Sequence, residues 1–109
     1  MEIIYSPESV DDLIKIYTYI ASVIQAPDNA KELVNRLRRN IRKLDYMPFR
    51  HRLVEWEPWN SMGMRVFPVD NFDIYYLVDT EKSVVQIVRI FYSGRDIENL
   101  IKTQNERDL

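Results

Sequence analysis

MRVFPVDNFDIYYLV, residues 64–78, holds two runs of β-branched and aromatic residues separated by Asp70-Asn71. A two-residue spacer of this type between such runs reads as a β-hairpin. It predicts one strand over Met64–Val69 and a second over Phe72–Val78. Downstream, Asp79-Thr80-Glu81-Lys82 turns the chain again. Ser83–Tyr92 is then the longest strand, with an apolar centre suited to the middle of a sheet. These three strands make an antiparallel meander. Gly94 ends the sheet, residues 96–101 open a short helix, and Thr103–Leu109 is a polar tail expected to fray.

Upstream of the hairpin, Asp45–Ser61 follows no period and contains Phe49, Trp56, Trp59, Pro48 and Pro58. So long an irregular segment in a small chain is often functional. Before it lies an amphipathic helix with Ala30, Leu33, Val34, Leu37, Ile41 and Leu44 on one face. Lys31, Arg36, Arg38, Arg39, Arg42 and Lys43 occupy its other faces. Asp28 is placed to cap it. An earlier helix is predicted from about Pro7 to Ile24, with Val10, Leu13, Ile14, Tyr17, Ile20 and Ile24 at helical spacing. Ser6 precedes it as an N-cap, with Pro7 at the first helical position. The short link at Ala26-Pro27 joins the two helices into a hairpin. Glu2–Tyr5 opens the chain as a short strand.

The element order implies an α+β fold: an N-terminal strand, a helix hairpin packed on an antiparallel sheet of about four strands, and a short C-terminal helix. One sheet face is expected to meet the helices and the other to stay open to a partner or substrate. The 109 residues fit a single domain, and 46% of them are hydrophobic, enough for a core without cross-links. Cysteine is absent, which excludes disulfides and thiolate metal sites and suits a reducing cytoplasm. No apolar run is long enough to span a bilayer, so no membrane partner is expected. The formal net charge of −2 gives no bulk sign of a nucleic-acid binder, although the second helix is locally basic.

Three segments resemble the RelE/ParE toxins of type II toxin–antitoxin systems. Ile4-Tyr5-Ser6-Pro7 with Asp11-Asp12-Leu13 resembles their start. Arg65–Tyr76 resembles their first sheet hairpin. Val88-Arg89-Ile90-Phe91-Tyr92 followed by Gly94-Arg95-Asp96 resembles their last strand and its exit. The likeness covers nearly the whole chain and implies a cognate antitoxin as partner. Two targets divide the family. RelE-like members cut mRNA in the ribosomal A site without a metal or other cofactor; ParE-like members poison DNA gyrase. A third possibility is an inactive member that only binds its antitoxin. Expectation places mRNA cleavage on the ribosome first and gyrase second.

Metal-free RNA cleavage needs a base for the attacking 2′-hydroxyl, an acid for the leaving oxygen and cations for the developing charge. The likeness to the YoeB branch implies Arg65 as a fork on the scissile phosphate and Tyr92 as a substrate-orienting or proton-transferring group. That branch ends its last strand in Arg-x-His-Tyr; here the histidine is Phe91. Glu57, or Glu55, occupies the stretch where the branch carries a general base, and such a base needs a raised pKa. His51, the one histidine, lies between Arg50 and Arg52, whose charge favours a neutral imidazole. Arg50, Arg52, Arg89 and Arg95 are candidates for phosphate contacts. Trp56, Trp59 and Phe49 are either base-stacking platforms or core anchors. Because strand residues alternate, a regular strand cannot show both Arg89 and Tyr92 on one face. If Tyr92 takes the open face, Arg89 and Phe91 take the helix face.

Overall fold

The computed structural model describes residues 1–107. Strands β2 (Arg65–Val69) and β3 (Phe72–Asp79) form the hairpin, with Val69 opposite Phe72 and only Asp70-Asn71 between them. Asp70 takes φ 53° at this turn, a region that a short polar side chain tolerates. Strand β4 (Val84–Tyr92) pairs antiparallel with β3, completing the meander. Strand β1 (Glu2–Tyr5) pairs with β4 in parallel, and the order is β1-β4-β3-β2. The sheet is therefore mixed, not wholly antiparallel. Tight turns force antiparallel pairing on β2–β4, whereas the helical crossover after β1 removes that constraint.

Helix α1 (Pro7–Thr18) starts as its cap predicts: the Ser9 amide donates to Ser6 Oγ at 3.0 Å. It continues into a π-helical turn over Tyr19–Val23, closed by Ile24 N–H to the Tyr19 carbonyl. Helix α2 (Pro27–Arg42) has Ala26 at its cap position without a side-chain bond, and Asp28 sits inside the first turn. There its charge faces the positive end of the helix dipole. After the four-residue α3 (Trp59–Met62) and the sheet, α4 (Ile97–Arg107) carries much of the expected frayed tail in helical form. Residues 108–109 of that tail lie outside the described residues.

Each sheet face has its own core. On the helix face, Leu37, Ile41 and Leu44 of α2 and the turn after it bury Ile74, Tyr76, Ile87 and Ile90. The opposite face is not open as expected. Val54, Trp59, Ile97 and Ile101 bury Val66, Tyr75 and Phe91 there, with Trp56 and Leu100 packed alongside. The aperiodic segment is thus half core: Trp59 stacks on Trp56 at 4.6 Å and lies 4.9 Å from Tyr75. Large aromatics gain too much from burial to remain on a mobile lid.

The apolar stripe of α1 divides unexpectedly. Leu13 and Ile16 join the core, and Ser9 and Asp12 are buried beside them, while Val10, Ile14, Tyr17 and Ile24 are exposed. Asp12 is buried because β1 ends too early to cover β4. Beyond Ile87, α1 takes over that edge. Ser6 N–H donates to the Ile87 carbonyl at 2.9 Å and Ser6 Oγ to the Val88 carbonyl at 2.8 Å. Asp12 Oδ2 accepts the Ile90 amide at 2.9 Å. Backbone groups left without a strand partner are satisfied by helix side chains.

Candidate functional site

The residues singled out from sequence fall into three separate places. The first is the start of β2. The chain from Met47 to Leu53 crosses the sheet edge here, entering with Met47 at φ 51° and making a bridge from Leu53 to Arg65. Arg65 Nη1 donates to the carbonyls of Phe49 at 3.0 Å and His51 at 2.6 Å. The Arg65 guanidinium also lies 5.1 Å from the centroid of the Phe49 ring. Tyr76 Oη donates to the Pro48 carbonyl at 2.5 Å. The Arg65 guanidinium is thus engaged by the loop that it holds.

His51 belongs to the same cluster. Its ring stacks on Phe67 at 4.1 Å and meets Tyr76 edge-on at 6.3 Å. Arg50 Nε points at His51 Nε2 from 3.4 Å. Partial burial, and then the Arg50 charge, push the His51 pKa below its ordinary value, so the neutral imidazole is favoured. Burial pushes the Tyr76 hydroxyl up to about 12 and the Tyr75 hydroxyl, on the other face, likewise to about 12. The Arg65 charge and then the Arg50 charge oppose the rise at Tyr76; at Tyr75 the Asp73 charge adds to it and the Arg52 charge opposes it. Both arginines are exposed, and Arg50 stands beside the His51 ring.

The second place is the far end of β4. Tyr92 is 55% exposed and its ring meets Phe72 edge-on at 5.5 Å. It lines a largely apolar cleft with Lys15, Tyr19, Ile90, Phe91 and Arg95. Arg89 Nε and Nη2 donate to Asp12 at 2.9 and 3.0 Å in a bidentate pair. Arg89 and Arg95 lie over the Phe91 ring at 4.2 and 5.3 Å from its centroid. The register places Tyr75 opposite Arg89 and Tyr76 opposite Ile87, which leaves Val88 as the extra residue of a bulge. Phe91 then packs on the loop side, and Tyr92 meets Phe72 on the helix side. The alternation holds as reasoned from sequence, with the two faces exchanged.

The third place is the loop-covered face, where Glu57 is exposed and Oε2 accepts the Ser61 amide at 3.2 Å. Glu57 thereby caps its own helix α3. Glu55 is exposed nearby in sequence.

These places do not converge. Arg65 pairs with Tyr76, while Tyr92 pairs with Phe72. Four residues along β3 and two strand spacings across the sheet put their backbones roughly 16 Å apart. Among the described residues no group of three or more acids and histidines is disposed to hold a metal, and no helix is long and apolar enough to cross a membrane. Sequence reasoning passed over Asp12 and Tyr76, whose side chains fix the last strand and the arginine loop. Asp12 left a signal: at helical spacing it falls beside Ser9, Leu13 and Ile16, and an acid on a buried stripe requires a buried partner.

A family model for the ParE toxin of the type II toxin–antitoxin system parDE matches residues 3–97. No curated protein sequence matches the chain significantly. Among solved structures, the fold is similar to a chain of the chromosomal ParDE system from P. aeruginosa, with a TM-score of 0.69 and 21% identity. The match covers 84% of this chain and 95% of that one. It is similar also to a chain of the RelBE2 toxin–antitoxin complex from Mycobacterium tuberculosis, with a TM-score of 0.60, 16% identity, and coverage of 86% and 92%. Since the family model spans well over half of the sequence, this chain belongs to the ParE toxin family of type II toxin–antitoxin systems.

Proposed function

We propose that this toxin acts as a binding poison of DNA gyrase, without phosphodiester chemistry of its own. The observation that carries the reading is the dispersal of the groups a nuclease would gather. A phosphate fork, an acid and a base must sit within hydrogen-bond reach of one reacting phosphate. Arg65 is engaged by two loop carbonyls, Tyr92 stands across the sheet and Glu57 caps α3. Phe91, where the RNA-cleaving branch has a histidine, is buried and supplies no proton. The match to the ParE family model supports the same direction.

The inhibitor in this reading is a cognate antitoxin. Solved relatives are described as toxin–antitoxin systems. Val10, Ile14 and Tyr17, left outside the core, line an apolar groove with Tyr5, Leu13 and Val34 that suits an amphipathic segment.

Purified gyrase tests the proposal. Adding the toxin to gyrase with supercoiled DNA and ATP is expected to accumulate cleaved DNA, while a translation extract keeps its mRNA intact. Undisturbed supercoiling at high toxin concentration overturns the gyrase reading, and cut mRNA in the extract replaces it with ribosome-dependent cleavage. Normal growth on expression without antitoxin would leave only the inactive, antitoxin-binding reading.

A further inference from the structure

The loop that Arg65 holds is built to present side chains outward. Three of its carbonyls, those of Pro48, Phe49 and His51, are drawn inward by Tyr76 and Arg65, and His51 is stacked on Phe67. Side chains between these anchors have little choice of direction. Phe49 stands 51% exposed with Arg65 near its ring, and Tyr46, at the loop entrance, is 71% exposed. Arg50 and Arg52 are exposed on either side of His51 in the sequence. Arg39, Arg42 and Lys43 of α2 and its last turn precede the loop in sequence. Among the described residues, none of these five cations makes an ion pair, whereas Arg36 and Arg89 do. In a chain of net charge −2, this is a local concentration of uncommitted positive charge.

Exposed aromatic rings in a segment of unpaired arginines suit an unpaired nucleic-acid strand. Phosphates meet the cations and an open base face stacks on the ring. We propose that residues 46–53 form a contact surface for single-stranded DNA, with Arg50 and Arg52 each on a backbone phosphate and Phe49 or Tyr46 under a base. In this arrangement Arg65 is a positioning residue that sets the loop. The choice of DNA over RNA rests on the gyrase-directed reading. The surface would grip a locally unpaired stretch of the DNA that the target enzyme holds.

Fluorescence anisotropy with the purified toxin and labelled oligothymidylate of about 12 nucleotides tests this without gyrase present. The wild type is expected to bind with salt-sensitive affinity. Arg50→Ala/Arg52→Ala should lower the slope of log K against log salt by about 1.4, two phosphate contacts at about 0.7 each. Phe49→Ala should weaken binding at least about fivefold and leave the slope unchanged, since stacking is not ionic. These residues are exposed, and circular dichroism checks that each variant stays folded. Arg50→Gln/Arg52→Gln serves in place of the alanine pair if that pair unfolds. An unchanged slope in the double variant, or undiminished affinity in Phe49→Ala, overturns the surface. Equal affinity for a blunt duplex overturns the single-strand assignment, and tighter binding to oligouridylate overturns the choice of DNA. Failure here leaves the gyrase assay intact, and failure of the gyrase assay leaves these anisotropies unaffected, so the two proposals are separable.

Discussion

Replacing Asp12 with alanine should cost this protein a large share of its stability. The carboxylate accepts from Arg89 Nε and Nη2 and from the Ile90 amide, at 2.9, 3.0 and 2.9 Å. Both partners of the ion pair are sequestered, with the side chains of Arg89 and Asp12 16% and 7% exposed. Removing one member of a buried pair strands the other charge, at about 3–5 kcal/mol. The orphaned Ile90 amide falls within that figure, not on top of it, because one desolvated site is being counted. Against a total of about 5–15 kcal/mol for a domain, this brings the protein near its threshold. At about 4 °C per kcal/mol for a chain near this size, the midpoint should fall by roughly 12–20 °C. The diagnostic experiment is a double-mutant cycle with Arg89→Met, read by urea denaturation followed through circular dichroism. Methionine removes the charge that Asp12→Ala strands, so the double variant should cost about 1–3 kcal/mol less than the sum of the singles. A loss below about 1 kcal/mol for Asp12→Ala, or coupling indistinguishable from zero, refutes the assignment of Asp12 as the clamp on β4.

Three further outcomes follow from the same contacts. Because the folded pKa of His51 lies below its unfolded value, the unfolded state takes up the proton first. The stability tied to the neutral imidazole is present above about pH 6.5 and is lost as pH falls through the folded pKa, so His51→Gln should flatten stability between about pH 7 and 5 in urea titrations. Trp59→Ala removes the ring between Trp56 and Tyr75 and should cost about 3–5 kcal/mol, with loss of the near-ultraviolet aromatic signal; a smaller change means the second core does not depend on it. Tyr76→Phe leaves the Pro48 carbonyl without its donor and should cost about 1–3 kcal/mol, with faster amide exchange confined to the segment around Arg50; uniform exchange rates across variants would show that the loop is held by other means.

Short-range signals in this chain were legible, and long-range ones were not. The Asp70-Asn71 turn, the Ser6 cap and the α2 stripe each depend on neighbours within a few residues, and all appear where periodicity puts them. The parallel pairing of β1 with β4 joins residues about eighty apart, and nothing local encodes it. Periodicity also overcounted the α1 core. It marked Val10, Ile14 and Tyr17 as inside because an apolar stripe is the same whether it meets its own sheet or another molecule. At the candidate site, sequence identified the chemically capable residues but not their distances. Arg65 and Tyr92 lie on the two strands that flank β3, opposite Tyr76 and Phe72, and only the register reveals that separation. The length of the aperiodic segment points to function, yet Val54 and Trp59 in it are core and Phe49 is exposed.

The clamp on β4 has a consequence for how the toxin comes into being. Ser6 and Asp12 find their acceptors and donors at Ile87, Val88, Arg89 and Ile90, 77 to 82 residues later in the sequence. Until those residues have left the ribosome, α1 has no edge to cover and β1 no strand to join. Non-local closure of this kind is slow, because the loop entropy must be met before any contact returns it. A polypeptide interrupted before Ile87 therefore lacks the sheet's organising strand, and abortive synthesis releases a fragment that cannot assemble this sheet.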